Sequence, residues 1–314
     1  MALCGHHAAA QEQLWTAGKP IRVIVPWAAG GVADATARAM ANAMTIRLKH
    51  PFIVENKPGA TGMIGAAYVA TSSPDGYTLL LGNVETHVMD PLLFPKTIRY
   101  DPEKSFDSIM EMVRVPMALV ARGDIPVQGP HDLVRLAKAA PGKYSYGTWG
   151  VGSTAHLAFL LLEQQRGIEM NHVPYNGAPP TYVALRGGHI DFILAQVPWA
   201  VDATTDGKAR VLGITSATRT TLAPSVPTLA EAGLEDYVFE SWMGLYAPRG
   251  TPAKFREAMS KELTAWLQTP AARTELAPAG AEPSIGDATQ LLKRQTKELE
   301  FWRRIVKARS ISIE

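Results

Sequence analysis

The chain has 314 residues, 46% hydrophobic and 19% charged, enough for two ordinary domains and too apolar for a disordered polymer. Thirty-one basic against 29 acidic residues leave a net charge of +2, and no long run of either sign gives a footprint for nucleic acid. A single cysteine, Cys4, rules out an internal disulfide and a thiolate-rich metal site, and no apolar run approaches the roughly 20 residues that span a membrane.

The first 18 residues lack a charged n-region and an apolar h-region, although "HAAAQ" looks like the small-residue end of a secretory signal. The segment reads either as a disordered tail or as the remnant of a signal peptide. Leu3 is too bulky before Cys4 for a lipoprotein cleavage site, so no lipid anchor is expected.

From residue 21 onward, strand-like and helix-like segments alternate. "IRVIV" (21–25) leads through a small-residue turn with a glycine pair into a helix near 31–48. "FIVEN" (52–56) leads to "PGATGMIGAAYVATSS", and "YTLLLG" (77–82) follows "PDG". "MALVARG" (117–123) is a strand before a helix at 131–140, and "YSYGTWG" passes through "VGSTAH" into an apolar helix ending near Gly167. "HVPYNGAPP" (172–180), a helix around 181–187 and the strand "IDFILAQ" (190–196) continue the rhythm. "ARVLGIT" (209–215) is strand-like, "VPTLAEAG" (226–233) reads as a short helix with a glycine stop, and "SWMGLYAP" (241–248) is a strand. Helices near 252–268 and 287–308 close the chain. This βαβ alternation implies largely parallel sheets, which bind ligands at the carboxyl ends of their strands.

Three strand-to-helix turns share a design: "PWAAGGVAD" (26–34), "NKPGATGMIG" (56–65) and "GTWGVGSTAH" (147–156). Each is short and glycine-bearing, and each directly precedes a helix, whose first N–H groups have no internal partner and lie at the positive end of its dipole. One glycine pair is compatible with plain packing; three such turns point to an anion. A helix N-terminus contributes about 0.3–1 kcal/mol to an exposed anion and up to about 2 when partly buried.

Phosphate is disfavoured because no G-x-x-x-x-G-K-[ST] loop is present, and Lys57 precedes its turn. "GVGSTA" (150–155) matches G-x-G-x-x-A, with Glu169 following 19 residues after Gly150, so a dinucleotide turn is the alternative. Its mid-chain position argues against that alternative. Ser153 fails G-x-S-x-G, having Val151 and Ala155 where glycines are needed. His156 could touch Ser153 but has no evident acid to hold it, and no cluster has metal-ligand spacing. Neither catalysis nor a cofactor is expected.

"IRVIVPWAAGGVADATAR", "IVENKPGATGMIGAAYVA", "SPDGYTLLLG", "HVPYNGAPPTYVALRGGHIDF" and "VPTLAEAG…SWMGLYAPRGTPA" together resemble the Bug family, the extracytoplasmic solute-binding proteins of tripartite tricarboxylate transporters. The likeness runs from about Lys19 to the last helix, "EFWRRIVKARSI". It implies an α/β protein of two lobes, a Venus flytrap that closes on a small carboxylate in the periplasm and delivers it to a membrane permease. On that model, residues 1–18 are the tail or signal remnant, residues 19–115 plus 240–314 form the first lobe, and 116–239 form the second. "MALVARG" and "SWMGLYAP" are the candidate crossings. A monomer is expected. A signalling ectodomain that presents the closed lobes to a sensor would share this sequence pattern.

The resemblance also implies site residues. The first carboxylate loop corresponds to Trp27, Ala28, Ala29, Gly30 and Gly31, with Asp34 serving as a helix-start acceptor; the second comprises Gly59, Ala60, Thr61 and Gly62. Asn83, Glu85 and Thr86 follow "LLLG", while Ser153, Thr154, His156, Tyr175 and Gln196 come from the second lobe. Two positions depart from the pattern. Trp27 stands for a phenylalanine, as a wall of the pocket or as packing beneath the turn. Glu85 stands where serine or threonine is usual; facing the cleft it would disfavour a second carboxylate, but a solvent-facing side chain is the expectation for a glutamate. A dicarboxylate or aromatic carboxylate, bridging both lobes, is the expected solute. A short monocarboxylate is expected to leave the lobes mostly open.

Overall fold

The computed structural model describes residues 18–308, so the expectations for the amino-terminal tail, Cys4 included, lie outside the described residues. The first half runs β1 (Ile21–Val25), α1 (Val32–Leu48), β2 (Phe52–Asn56), α2 (Met63–Ala70) and β3 (Thr78–Asn83). A π-helical turn (Glu85–Met89) then enters the single turn α3 (Asp90–Leu93), followed by β4 (Phe106–Val115) and β5 (Met117–Arg122). Next come α4 (Pro130–Ala139), β6 (Ser145–Thr148), α5 (Thr154–Arg166), β7 (Asn171–Pro174), α6 (Ala178–Arg186) and β8 (Phe192–Gln196). The chain ends with α7 (Val197–Ala203), β9 (Ala209–Ile214), β10 (Ser241–Pro248), α8 (Ala253–Leu267), α9 (Pro270–Leu276), β11 (Glu282–Asp287) and α10 (Ala288–Ala308).

Two sheets form, ordered β11-β4-β10-β3-β1-β2 and β7-β6-β8-β5-β9. Each holds a parallel βαβ half, as the alternation predicts: β1 lies between β2 and β3, and β6 between β7 and β8. Antiparallel strands complete both sheets, and they include those flanking the crossings between them. Only Pro116 separates β4 of the first sheet from β5 of the second. The return passes through residues 215–240 into β10. The expected crossing segments therefore begin at the crossings, but each lies wholly in one sheet. The two passages run side by side, because Thr215 N donates to Met117 O at 2.8 Å and Phe239 N to Thr215 O at 2.8 Å.

Packing follows the pleat. Ile21, Val23 and Val25 of β1 face Ala37, Met40, Ala41 and Met44 of α1, whose i, i+3, i+4, i+7 spacing gives one apolar stripe. Ile24 and Leu80 point to the opposite face, against Met63, Ala66 and Val69. Burying such a side chain contributes about 1.5–3 kcal/mol. Helix α5 is buried from Thr154 to Glu163, the behaviour of a helix that is apolar on all sides. Its cluster joins Ile24 and Leu80 of the first sheet and Val88 of the π-helical turn to Phe159 of α5 and to Leu119 and Leu194 of the second sheet.

One predicted element is corrected. "VPTLAEAG" forms turns in place of a helix. Thr228 N donates to Glu231 Oε2 at 2.7 Å and Glu231 N to Thr228 Oγ1 at 3.0 Å, a reciprocal start box. Propagation stops after one turn because Gly233 turns left-handed at φ +100°, and Gly233 N and Leu234 N bond back to Ala230 O at 3.0 Å and Leu229 O at 2.8 Å.

Candidate functional site

In the first sheet the chain turns opposite ways from β1 to β2 and from β1 to β3, so the loops after β1 and β3 flank a topological switch point. β6 stands in the same relation to β7 and β8 in the second sheet. The predicted turns therefore occupy the crevice ends of both sheets.

The loop after β1 exposes Ala28, Ala29, Gly30 and Gly31. Gly31, the N-cap of α1, has φ −86° and no side chain with which to cap the helix, which leaves the first N–H groups of a 17-residue helix open. Asp34 pins this loop from inside. Its carboxylate accepts from Gly30 N, Arg38 Nε and Asn56 Nδ2, each at 3.0 Å, and Asn56 Nδ2 also reaches Trp27 O at 3.0 Å. Asp34 therefore anchors the loop ahead of α1 and accepts from Gly30 N, not from an N–H of the helix itself.

The second loop is left-handed throughout: Gly59, Ala60, Thr61 and Gly62 have φ of +131°, +48°, +55° and +110°. For Ala60 and Thr61 that conformation costs roughly 1–2 kcal/mol each, strain of a kind that collects at ligand-holding loops. The Thr61 hydroxyl donates to Asp90 Oδ1 at 2.6 Å. Burial pushes the Asp90 carboxyl up to about 8, against the pull of the Thr61 hydrogen bond and with the help of the Glu85 charge. A Cβ on Gly62 would lie 2.8 Å from the Thr86 methyl and 3.4 Å from the Trp27 ring, so three loops meet at that glycine. Trp27 is half-buried and packs on the first-sheet core beside this junction.

The turn after β3 corrects one expectation. Glu85 does not face solvent: it is 8% exposed. Its Oε1 accepts from Thr154 N at 3.0 Å and Thr154 Oγ1 at 2.7 Å across the seam between the sheets, and Oε2 accepts from Asn83 Nδ2 at 3.2 Å. The physical cause is the open N–H at the start of α5, which draws a carboxylate; three hydrogen bonds offset the desolvation. Asn83 Oδ1 fixes the backbone that presents Glu85, accepting from Glu85 N at 2.9 Å and Thr86 N at 3.2 Å. The Thr86 hydroxyl is engaged by Asn83 N at 3.0 Å and His87 Nδ1 at 2.9 Å.

Across the seam, Ser153 caps α5 by accepting from His156 N at 3.4 Å. His156 Nδ1 accepts from Gly152 N at 3.1 Å, and its ring stacks on His172 with centroids 4.1 Å apart. Burial, and secondarily the neighbouring His172, lowers the His156 pKa to about 4, so the ring is neutral at neutral pH. Tyr175 lies just past β7, its N donating to Thr148 O at 2.9 Å. Gln196, half-buried at the carboxyl end of β8, has its Oε1 engaged by the Tyr182 hydroxyl. Of the expected second-lobe residues, Thr154 is the one bonded to the first sheet. The dinucleotide alternative loses its seat, because Glu85 holds the helix start that a pyrophosphate would need. Among the described residues no group of three His, Cys, Asp or Glu is placed to hold a metal, and no helix is long and apolar enough to cross a membrane.

Asn56, Asp90 and Tyr182 escaped the sequence reading. Asn56 ends a strand and Asp90 precedes a proline at a helix start, weak signals that gain meaning only from their partners.

A family model described as "TctC: Tripartite tricarboxylate transporter family receptor" matches residues 36–311. BugT of Bordetella pertussis is 32% identical over 289 residues, covering 92% of this chain and 89% of that protein. A solved R. palustris protein with adipate superposes with a TM-score of 0.84 at 30% identity, covering 95% and 99% of the two chains. MatC from Rhodopseudomonas palustris with bound malate gives 0.79 at 31% identity, covering 93% and 100%. The periplasmic binding protein BugD gives 0.79 at 32% identity, covering 93% and 98%.

Proposed function

The chain belongs to the tripartite tricarboxylate transporter receptor family, and from that premise we propose that it captures a small carboxylate in the periplasm and hands it to a membrane permease. Capture takes place between a first lobe of residues 19–115 plus 240–314 and a second of 116–239, with the chain acting as a monomer. The solute carboxylate rests on the exposed backbone of Ala28–Gly31 and on the Gly59–Gly62 loop, which is exposed at Gly59 and Ala60, with Trp27 as a side wall. No residue performs chemistry on it.

The observation that carries this reading is the uncapped start of α1, held open by the buried Asp34 anchor next to a strained left-handed loop. Adipate and malate in two solved relatives support the ligand class. A thermal-shift screen of mono- and dicarboxylates tests it. An acid at about 100 times its dissociation constant should add about 2.7 kcal/mol of stability. If no acid at millimolar concentration raises the unfolding midpoint, the reading fails.

A further inference from the structure

The start of α5 offers an N–H and a hydroxyl to an anion at the crevice end of the second sheet, and a side chain from the turn after β3 fills it. Glu85 Oε1 accepts both the N–H and the hydroxyl of Thr154, while Asn83 holds Oε2 and the backbone beneath. The Glu85 charge acts on Asp90, which accepts from Thr61, and a Cβ on Gly62 would meet the neighbouring Thr86, so the turn bearing this carboxylate borders the loop to which the carboxylate-receptor reading assigns the solute. We propose that Glu85 is a specificity-determining residue: the protein supplies the second-sheet carboxylate itself, and the solute carries a single carboxylate and turns a neutral or cationic end toward Glu85. This rests on the receptor reading and narrows it, away from dicarboxylates of the adipate and malate kind.

Coulomb's law gives the reason. A second solute carboxylate directed at the start of α5 would approach the carboxylate of Glu85 that already sits there. Two like charges about 4 Å apart in a partly buried site repel by an amount worth about a thousandfold in affinity at an effective dielectric constant of 20. Solvent and rotation of the solute relieve part of this, so a discrimination of tenfold or more is expected. An ammonium in the same place gains from the same charge.

Two matched series test the proposal: hexanoate, adipate and 6-aminohexanoate, and benzoate, terephthalate and 4-(aminomethyl)benzoate. Titration calorimetry near neutral pH on the wild type, Glu85→Gln and Glu85→Ser gives the affinities. In at least one series, the wild type should bind the neutral or amine-ended acid at least about tenfold more tightly than the diacid. Glu85→Gln should shrink that preference about tenfold or more, strengthening the diacid and weakening the amine-ended acid. Glu85→Ser should do the same; if circular dichroism shows it unfolded, the isosteric Glu85→Gln, which keeps an acceptor for Thr154, carries the test. A wild type that binds the diacid as well as its partners, or substitutions that shift all three acids by one factor, overturns the role of Glu85 and leaves the receptor reading intact. Failure of every acid in both series to bind overturns both.

Discussion

Replacing Asp34 by alanine removes the anchor of the first loop. The carboxylate is 5% exposed and accepts three hydrogen bonds at 3.0 Å. Burial alone would raise its pKa, but the bonds from Arg38, Gly30 and Asn56 outweigh that and hold Asp34 below the usual carboxylate range. Its contribution to stability is thus present above the unfolded value of 3.8 and lost as pH falls through the lower folded one. The Arg38 pair is half-exposed at i,i+4 spacing and contributes only about 0.3–0.5 kcal/mol. Gly30 is exposed, so its freed N–H regains water and the loss lies at the low end of about 1.5–3 kcal/mol for a bond to a charged group. Asn56 keeps Trp27 O as an acceptor, which limits its loss in the same way. With about 0.3–1 kcal/mol from the helix dipole, the total is about 2–3 kcal/mol. In a chain of 314 residues, whose unfolding entropy is about 2.1 cal/mol/K per residue, such a loss lowers the unfolding midpoint by roughly 3–5 °C.

The loop should also become less ordered, so the best-binding acid of the two series should bind about tenfold more weakly, the added cost of fixing the loop on binding. Thermal unfolding and calorimetry on Asp34→Ala and Asp34→Asn measure both effects, and the asparagine, with one acceptor left, should fall between. A wild-type midpoint in Asp34→Ala would refute the anchoring. A lowered midpoint with unchanged affinity would refute the link between the anchor and the site.

Gly31→Val should fold, because Gly31 has φ −86° and its Cβ would meet only Ala28 O at 3.9 Å, yet the branched side chain should cut acid affinity at least about tenfold; a folded variant with full affinity removes this loop from the site. Ala60→Gly relieves a left-handed alanine at φ +48°, worth about 1–2 kcal/mol, against about 0.4–1 of added unfolded-state entropy, so a midpoint no higher than wild type would show that no strain is stored there. Asp90 is raised from 3.8 to about 8, so between those values the folded state keeps a proton that the unfolded chain has lost, and stability falls as pH rises through that window. Asp90→Asn should therefore gain on the wild type near pH 8 and match it near pH 4, and parallel pH curves for the two proteins would count against the buried proton.

The fold was legible where periodicity and punctuation agreed. β1, β2 and β3 and the helices after β1 and β2 announce themselves through β-branched runs, glycine turns and small-residue stripes. Strand β4 did not, because "FDSIMEMVRV" interrupts its apolar residues with Glu111 and Arg114. Those charges are tolerable only because distant groups meet them: Arg294 Nη1 lies 3.0 Å from Glu111 Oε1, and Arg114 Nε lies 3.4 Å from Glu282 Oε2. No local pattern encodes partners 183 and 168 residues away. The first-sheet turns were legible from their glycines, since bare backbone before a helix has a local signature. Glu85 was misjudged for the opposite reason. Its environment comes from α5, 69 positions along the chain, and a glutamate read alone belongs at the surface.

That one contact also changes how lobe closure must be reckoned. Moving a two-state equilibrium from 1:99 to 99:1 takes about 5.5 kcal/mol of differential affinity, and the sequence assigned that task to a solute bonded to both lobes. In the folded chain, protein groups join the two sheets themselves. Glu85 bonds Thr154 twice, Thr221 N donates to Glu282 Oε1 at 2.8 Å, and a Cβ on Gly280 would lie 3.3 Å from Pro198 and 3.4 Å from Gln196. Bonds to a charged acceptor contribute about 1.5–3 kcal/mol each, so the Glu85 and Glu282 joints supply energy of the size that closure requires. A solute then needs only to bias a seam that the protein largely completes. On the role proposed for Glu85, a second anionic end is then unnecessary, and beside that carboxylate it is a handicap. If Glu85 has the role proposed for it, the expectation that a short monocarboxylate leaves the lobes open changes sign: a carboxylate on the first-sheet loops with an uncharged or cationic tail leaves the Glu85–Thr154 joint intact, whereas the second end of a diacid meets the Glu85 charge at that joint.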